Sequence, residues 1–329
     1  MSHLTAIKPL VLAGTSADAQ RARETCAAAM TDQLPVLIVA EEGFDVRAVA
    51  QTIHDGSRPH APLLIIESGH TPPADVEVAL FGSLERRVQS VEVLAPGAAL
   101  LRAAQGTVFL EGLADLPSKV QRRLARLLRD GEAKTNGRGA APLQARIIAS
   151  ARPGIATEVT ERRVREDLFR RLAVHELTIS PLRARPGDFV TLVPAMADAI
   201  CARLGRTTPT FTGSALNVLA ALPWRRNMEE LAALLERTVR AVADGGIKQE
   251  DVLAQLSFDS AFAQRVPAGS LREARLRFER EYIAAVLEHH QWRMSEAARA
   301  LGIERANLYR KTRQLGISRG APASAAAQR

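Results

Sequence analysis

A short segment near the C-terminus concentrates side chains that suit contacts to nucleic acid. The outer face of its second predicted helix carries Arg305, Asn307, Arg310, Lys311 and Arg313. Arginine and asparagine are suited to paired hydrogen bonds with base edges in the major groove. Tyr309 and Lys311 are better suited to phosphate oxygens. These residue types and their spacing predict binding to double-stranded DNA.

Two short predicted helices, 295–301 and 305–315, are expected to hold these side chains as a helix-turn-helix. Ser295 is the candidate N-cap of the first helix and belongs to the predicted DNA-binding set. Gly302 provides the conformational freedom of a tight turn. Close crossing and packing of the second helix are expected from Ala297, Ala298, Ile303, Leu308 and Leu315. An ordinary three-helix end domain with a basic outer face is the alternative.

The distribution of charge favours the DNA-binding interpretation. The net charge is +8, and residues 271–319 contain 11 lysines and arginines against 6 acidic residues. A basic excess in a short segment is typical of nucleic-acid binding. A solvated helical surface would look the same, so charge alone does not decide. A long helix is predicted over 271–287, ahead of the two short ones.

The segment resembles the Fis-type helix-turn-helix. The matching positions are Ala297-Ala298, Leu301-Gly302-Ile303 and Leu308-Tyr309-Arg310-Lys311. The resemblance implies that Arg305, Asn307 and Arg310 read bases, and that the long helix pairs two chains. Pairing raises affinity and specificity because one such unit reads only a few base pairs. The sequence departs from the family at Trp292-Arg293, where the family usually has Gly-Asn.

The larger part of the chain predicts an α/β fold. Apolar runs at 35–39, 62–66, 107–110 and 146–150 are typical of buried strands, with helical patterns at 46–54 and 119–129 between them. This alternation predicts a parallel sheet covered on both faces. A turn is predicted at 134–142. Beyond residue 188 only helices are predicted, at 189–204, 212–222 and 228–242, with Thr212 and Ser214 as candidate N-caps of the middle one.

The order of landmarks over residues 7–245 resembles the AAA+ domain of the sigma-54-dependent, NtrC-like enhancer-binding proteins. The matching segments include Pro35-Val-Leu-Ile38, Leu80-Phe81-Gly82, Gly106-Thr-Val-Phe-Leu110, Arg165-Glu-Asp-Leu168, Pro181-Leu182-Arg183, Trp224 and Asn227. The resemblance implies a parallel-sheet AAA+-like α/β subdomain at 1–187 and an all-α lid subdomain at 188–256. A linker at 257–270, an all-α helix-turn-helix domain at 271–318 and a flexible tail at 319–329 complete the expected organisation.

The phosphate-binding loop of this family is not kept. Such a loop needs glycines whose N–H groups face phosphate oxygens, and a lysine for the β- and γ-phosphates. The aligned stretch is Ala40-Glu-Glu-Gly-Phe-Asp-Val-Arg47, in which Gly43 alone remains of the glycines. Asp45 would face phosphates with negative charge, and Val46 stands in place of the lysine. Loss of that lysine removes the main charge partner of the transferred phosphoryl group.

Other positions of the ATPase machinery differ as well. Glu111-Gly112 ends the predicted Walker B strand, where the family has Asp-Glu. Glu111 could still hold a metal, but Gly112 cannot act as a base. Glu229 stands where the family has a sensor arginine. The sequence therefore predicts an inactive nucleotide site, with no cofactor and no metal centre.

Two arginines match the family's inter-subunit arginine fingers. They are Arg165 and Arg171, and both are candidates for a subunit interface. Without a γ-phosphate they have little to stabilise, so ion pairs with Glu166 or Asp167 at a packed subunit edge are the favoured interpretation.

The sigma-54 contact loop of the family, Gly-Ala-Phe-Thr-Gly-Ala, is also replaced. Residues 83–90 stand at that place and read Ser-Leu-Glu-Arg-Arg-Val-Gln-Ser. The replacement keeps the length of the connection but not its glycines or its apolar and hydroxyl tip. Remodelling of the sigma-54 polymerase is therefore not expected.

The composition also bounds the location. No apolar run reaches the length of a membrane span and no signal-peptide pattern is visible, so contact with a membrane is not expected. Cys26 and Cys201 have no neighbours at metal-ligand spacing. A reducing, cytoplasmic compartment is expected, with association to the nucleoid.

Three functional hypotheses follow. The leading one is a sequence-specific DNA-binding transcription regulator that needs neither ATP hydrolysis nor sigma-54. It would use its degenerate AAA+ module to assemble as a homodimer or higher oligomer, or to contact RNA polymerase. The second is an inactive subunit that modulates an ATP-hydrolysing AAA+ relative, which the retained Arg165 and Arg171 favour. The third is an ATPase with a remodelled site, which Val46, Gly112 and Glu229 disfavour.

Overall fold

The computed structural model describes residues 9–69, 71–83, 87–88, 91–135, 139–242, 245–256, 280, 283, 287, 292–301, 303–315 and 317. Within these residues, no helix has the length and apolar character that a membrane crossing requires. The chain forms two compact units, Met1–Leu256 and Ser257–Arg329. The predicted linker at 257–270, the tail at 319–329, Gly302 and most of the predicted helix at 271–287 lie outside the described residues.

The first unit begins as an alternation of helices and strands. In chain order its elements are α1 (Ala17–Asp32), β1 (Val36–Ala40), α2 (Val46–Ser57), β2 (Leu63–Glu67), α3 (Pro73–Phe81), β3 (Arg87–Val88), β4 (Val91–Leu94), α4 (Ala99–Arg102), β5 (Thr107–Glu111), α5 (Ser118–Asp130), β6 (Glu132–Thr135), β7 (Ala140–Pro142), β8 (Arg146–Ala151), α6 (Ile155–Thr160), α7 (Glu166–Leu172) and β9 (His175–Ile179). The four predicted strands and the two predicted helices are confirmed to within a few residues.

A five-stranded parallel sheet forms the centre of this unit, in the order β2-β5-β8-β1-β9. Every residue of β1 is buried. Because alternate side chains of a strand point to opposite faces, Val36 and Ile38 pack with α1 and α2, whereas Leu37 and Val39 pack with α3, α5 and α7. Helices on both faces explain why the strand reads as an unbroken apolar run. The predicted parallel α/β fold is confirmed.

A second sheet corrects the prediction for residues 134–142. This sheet has the order β3-β4-β6-β7, and β6 pairs with β7 in antiparallel register, Glu132 opposite Pro142. The segment predicted as a turn is therefore mostly strand. Its glycines and proline indicated a turn, yet only residues 136–139 separate β6 from β7, and 136–138 of these lie outside the described residues.

Helices follow from residue 189, as predicted. They are α8 (Phe189–Leu204), α9 (Gly213–Ala221), α10 (Asn227–Ala241) and α11 (Gln249–Gln255). Thr212 is the N-cap of α9, and its hydroxyl accepts from the Ala215 N–H at 3.3 Å. Ser214 lies inside the helix, so its prediction as a cap is wrong. The rings of Phe189 and Trp224 stack at 6.1 Å and join these helices to the core.

The second unit contains the two predicted short helices, α12 (Met294–Ala300) and α13 (Arg305–Gln314). Ala297, Ala298 and Leu308 are buried together with Ile283 and Leu287, and Ile303 and Leu315 pack at the edge of this cluster. The predicted packing is confirmed for these residues. Ser295 lies within the first turn of α12, whose N-cap is Arg293 and has no side-chain cap, so the prediction of a serine cap is wrong.

Candidate functional site

The connection from β1 to α2 lies where the resemblance places the phosphate-binding loop. Gly43 has φ +87°, and a Cβ there would lie 2.0 Å from the backbone oxygen of Arg226. Only glycine fits, because any other residue would meet left-handed strain and steric overlap. The Gly43 oxygen accepts a hydrogen bond from the Glu229 N–H at 3.0 Å. The loop is thus held against the start of α10 by backbone contacts.

The N-terminus of α2 carries an anion of its own. Asp45 is the N-cap, and one of its carboxylate oxygens accepts from the Ala48 N–H at 2.9 Å. Helix N-termini attract anions because their first N–H groups lack partners within the helix and the helix dipole is positive there. In this chain a carboxylate takes one of these groups. Val46 follows as the first residue of α2 and supplies no cation.

Glu111, the last residue of β5, is neutralised from within the protein. Its carboxylate accepts from Nε of Arg47 at 2.7 Å, and the same guanidinium pairs with Glu67 at the end of β2. Arginine is a permanent cation, so it offsets the charge of carboxylates that would otherwise attract a metal ion. The sequence analysis did not identify Arg47 as a site residue, although it directly follows Val46 in the aligned stretch.

Gly112 lies directly after β5 in a conformation that requires glycine. Its φ is +84°, and a Cβ would lie 2.6 Å from a carboxylate oxygen of Asp115. Its N–H donates to Oγ of Ser150 at 3.1 Å. The backbone is therefore shaped for a residue without a side chain at the position where the resemblance expects a catalytic glutamate.

Asn227 joins this loop to the helices that follow it, and sequence reasoning missed that role. Its side chain is fully buried, donates to the Glu42 oxygen at 2.9 Å and to the Glu41 carboxylate at 3.3 Å, and accepts from the Leu182 N–H at 3.0 Å. Arg183 holds Glu41 from the other side with two hydrogen bonds, at 2.5 and 2.7 Å, and so keeps the pKa of that carboxyl below its usual value. In the sequence, Asn227 was noted only as a landmark of the family resemblance, and nothing there indicated its hydrogen bonds.

Replacing Asn227 by alanine is expected to lower the free energy of unfolding by about 2–4 kcal/mol, because buried groups lose their partners and alanine fits φ +42° poorly. Urea unfolding followed by circular dichroism measures the loss. The matched control is Asn217→Ala on the exposed surface of α9, where we expect a change within about 0.5 kcal/mol. Equal stability of the two variants would contradict the role of Asn227 in closing the loop.

The remaining predicted nucleotide and interface residues lie in different environments. The carboxylate of Glu229 pairs with Arg226 at 2.7 Å. Arg165 forms two hydrogen bonds with Asp167, both 2.9 Å, as the ion-pair interpretation expected. Arg171, on α7, is half-buried and has no ion pair or hydrogen bond through its side chain with any of the described residues. The two arginines were predicted together as interface residues, but Arg165 has an ion-pair partner, whereas Arg171 has none among the described residues.

The face of α13 brings the predicted DNA contacts together. Arg305, Tyr309, Arg310 and Arg313 are exposed, while Leu308 and Thr312 are buried and fix the orientation of the helix. Arg310 donates to the side-chain oxygen of Asn307 at 2.7 Å, and the guanidinium of Arg305 lies 5.7 Å from the centre of the Tyr309 ring. Lys311 is half-buried, and Ser295 is exposed on α12, the helix before.

Trp292 stands where the family usually has glycine, and its backbone adopts the left-handed conformation that glycine favours. Trp292 has φ +63°, and its N–H donates to the Leu287 oxygen at 2.7 Å. Its ring packs at the edge of the C-terminal core. A large residue in the left-handed region is uncommon, so packing compensates the strain at this position. The segment 83–90, where the resemblance expects the sigma-54 contact loop, is described only at Ser83 and in β3, and its other residues lie outside the described part.

Comparisons with known proteins match both units of the chain. The Sigma-54 interaction domain family matches residues 12–178, and the family "Bacterial regulatory protein, Fis family" matches residues 275–315. The nitrogen assimilation regulatory protein NtrX of Azorhizobium caulinodans is 30% identical over 94% of this chain and 70% of its own length. The anaerobic nitric oxide reductase transcription regulator NorR of Klebsiella pneumoniae is 30% identical over 88% of this chain and 58% of its own length.

Solved structures of one such regulator are also similar to this chain. NtrX of Brucella abortus in complex with ADP has a TM-score of 0.61 and 29% identity, covering 94% of this chain and 70% of that one. The same protein in complex with ATP has a TM-score of 0.60 and 29% identity, covering 92% and 69%. This chain thus spans between 58% and 70% of the lengths of these relatives.

The parallel AAA+-type sheet and the helix-turn-helix are the two parts that the matching families combine. The chain therefore belongs to the family of sigma-54-dependent transcription regulators, with a sigma-54 interaction domain of AAA+ fold and a DNA-binding helix-turn-helix of the Fis type.

Proposed function

We propose that this chain is a sequence-specific transcription regulator that acts on DNA without hydrolysing ATP and without sigma-54. The observation that carries the proposal is the chemistry of the β1–α2 loop. Asp45 places a carboxylate on the helix N-terminus, Val46 brings no charge, and Arg47 neutralises Glu111. A nucleoside triphosphate at this place would meet a negative charge and no lysine, and its magnesium ion would meet a guanidinium.

Independence from sigma-54 rests on the sequence of residues 83–90, which lacks the family's contact motif. The proposed organisation is an α/β subdomain over 1–187, a lid over 188–256, a linker over 257–270, a DNA-binding domain over 271–318 and a tail over 319–329. The first two serve assembly into a homodimer or higher oligomer, or contact with RNA polymerase. Cytoplasmic, nucleoid-associated action follows from the proposed DNA binding.

The experiment that tests this function selects genomic DNA fragments with the purified full chain, with and without Mg-ATP. We expect a discrete set of fragments that share one motif and are bound equally in both conditions. Enrichment that depends on ATP would overturn the ATP-independent function. Binding without any shared motif would overturn sequence-specific regulation.

Restoring the lysine alone is expected not to restore nucleotide binding. In Val46→Lys the new ammonium stands beside the Asp45 carboxylate, and the Arg47–Glu111 pair still opposes a metal ion. The dissociation constant for Mg-ATP should stay above about 1 mM in isothermal titration calorimetry, which corresponds to less than about 4 kcal/mol of binding free energy. Asp45→Gly with Val46→Lys is the comparison variant, in which the opposing carboxylate is removed. Micromolar binding by Val46→Lys would show that a single substitution had silenced the site.

Arg171 is half-buried and has no ion pair among the described residues, and this favours a second candidate function. An inactive subunit could offer this side chain to the nucleotide of an ATP-hydrolysing AAA+ relative in a mixed assembly. Arg165 is held by Asp167 and is less available. If the mixed assembly exists, an intact relative co-purifies with this chain, and Arg171→Ala lowers its ATPase rate while Arg170→Ala on the exposed neighbour does not.

A further inference from the structure

A cleft of about 530 Å³ lies beside the β1–α2 loop. It is bounded by the first described residues, by the loop itself, and by one face each of α8 and α10. Its lining residues are Pro9, Leu10, Val11, Gly43, Phe44, Asp45, Ala48, Met196, Met228, Glu229 and Ala232. Its size falls within the range of small-molecule sites, which are concave and mostly apolar with few polar groups.

The lining is apolar and acidic. Leu10, Val11, Phe44, Met196 and Met228 supply carbon and sulfur surface. Two methionines near a phenylalanine favour an aromatic guest, since thioether sulfur makes favourable contacts with rings and adapts its shape to them.

The charges of the cleft select against anions. Among the described residues, Asp45 and Glu229 are the charged groups that line it, and none of these lining residues is a lysine or arginine. Arg226 pairs with Glu229 at 2.7 Å, whereas Asp45 has no ion pair within the part of the chain that the structure describes. One Asp45 oxygen caps α2, and its other oxygen accepts no hydrogen bond from the described residues. The buried Arg185 lies 5.7 Å from the Phe44 ring centre, but it pairs with Asp188 and does not line the cleft.

We propose that this cleft binds a small aromatic ligand that carries a positive charge and no phosphate. The ring packs between Phe44 and the two methionines, and the cationic group lies near the free oxygen of Asp45. The proposal rests on the proposed ATP-independent function, because the same Asp45 that excludes phosphate attracts the cation. It gives the cleft a role as a sensor of an organic cation in place of a nucleotide.

The test uses two probes of similar size and opposite charge, 1-naphthylmethylammonium and the anion 1-naphthaleneacetate. Binding to the full chain is followed by NMR of protein labelled with ¹³C in the methionine methyl groups. Met196 and Met228 report on the cleft, whereas Met30 and Met294 lie elsewhere and serve as internal controls. We expect the cation to shift the Met196 and Met228 signals alone, and to bind about tenfold more tightly than the anion.

Matched variants locate the site. Ala232→Trp fills the cleft and should abolish the shifts, whereas Ala233→Trp on the exposed neighbour of the same helix should leave them. Asp45→Asn keeps a good N-cap but removes the charge. It should reduce the preference for the cation over the anion to less than about threefold. Retained preference in Asp45→Asn would overturn the assignment of the cation to this carboxylate.

Mg-ATP is the third ligand in the same titration. Shifts of Met196 and Met228 with Mg-ATP would overturn the proposed function itself. If neither Mg-ATP nor the naphthyl cation shifts the Met196 and Met228 signals, this inference is overturned and the proposed function stands. Shifts from the cation that survive Ala232→Trp would place binding outside the cleft and also overturn it.

Discussion

Replacing both Arg305 and Arg310 by alanine is expected to weaken binding to the specific DNA site by about 2–6 kcal/mol, if two losses of 1–3 kcal/mol add. Both side chains lie exposed on α13, and Arg310 is oriented by Asn307. Guanidinium groups make paired hydrogen bonds to guanine edges, so each single variant should also relax base preference at one position. Fluorescence anisotropy with the selected site and single-base variants of it measures both effects.

The control for that prediction is Lys311→Ala. This half-buried residue is predicted to contact phosphate, so its loss should weaken binding to all sequences alike and flatten the dependence on salt by about one unit of slope. Equal losses on specific and random DNA for the two arginine variants would show that Arg305 and Arg310 hold phosphates and do not read bases.

Arg123→Met is expected to lower the free energy of unfolding by about 3–5 kcal/mol. Arg123 is fully buried, binds Glu92 at 2.5 Å and Glu77 at 2.9 Å, and lies 4.0 Å from the Phe81 ring centre. Methionine keeps much of the volume but leaves two buried carboxylates without this partner. Lys119 and Arg126 also approach these carboxylates, at 3.1 and 3.5 Å, and compensate only part of the loss.

Thermal and urea unfolding measure this loss, with Arg122→Met on the exposed neighbour as the matched control. Adding Glu77→Gln and Glu92→Gln to Arg123→Met should recover part of the stability, because the buried charges are then removed together. A single variant as stable as the control would show that the buried pairs contribute nothing. Arg123 also donates to the Ser83 oxygen at 2.8 Å, so it joins Ser83, the first residue of segment 83–90, to Glu92 in β4, the strand that follows that segment.

The local sequence pattern was sufficient to predict those elements whose structure depends on burial alone. The apolar run at 35–39 predicted β1 because a strand with helices on both faces buries every side chain. The bounds of α8, Phe189–Leu204, agree with the prediction because Gly205 follows directly and adopts φ +65°, which ends the helix. The turn predicted at 134–142 was too long, because residues 134–135 and 140–142 belong to β6 and β7, and local composition does not report the pairing of these strands.

The sequence by itself determined the family, the parallel α/β fold and the helix-turn-helix, and it predicted that Val46 and Gly112 stand where the family's ATPase residues belong. The tertiary structure alone decided which side chains meet around these positions. Arg47 meets Glu111 across 64 positions of the chain, and Asn227 meets Glu41 across 186. A sequence lists charges and amides but not which of them meet, because that depends on how the sheet and the lid helices pack. The acidic, apolar cleft beside Asp45 exists only through that packing.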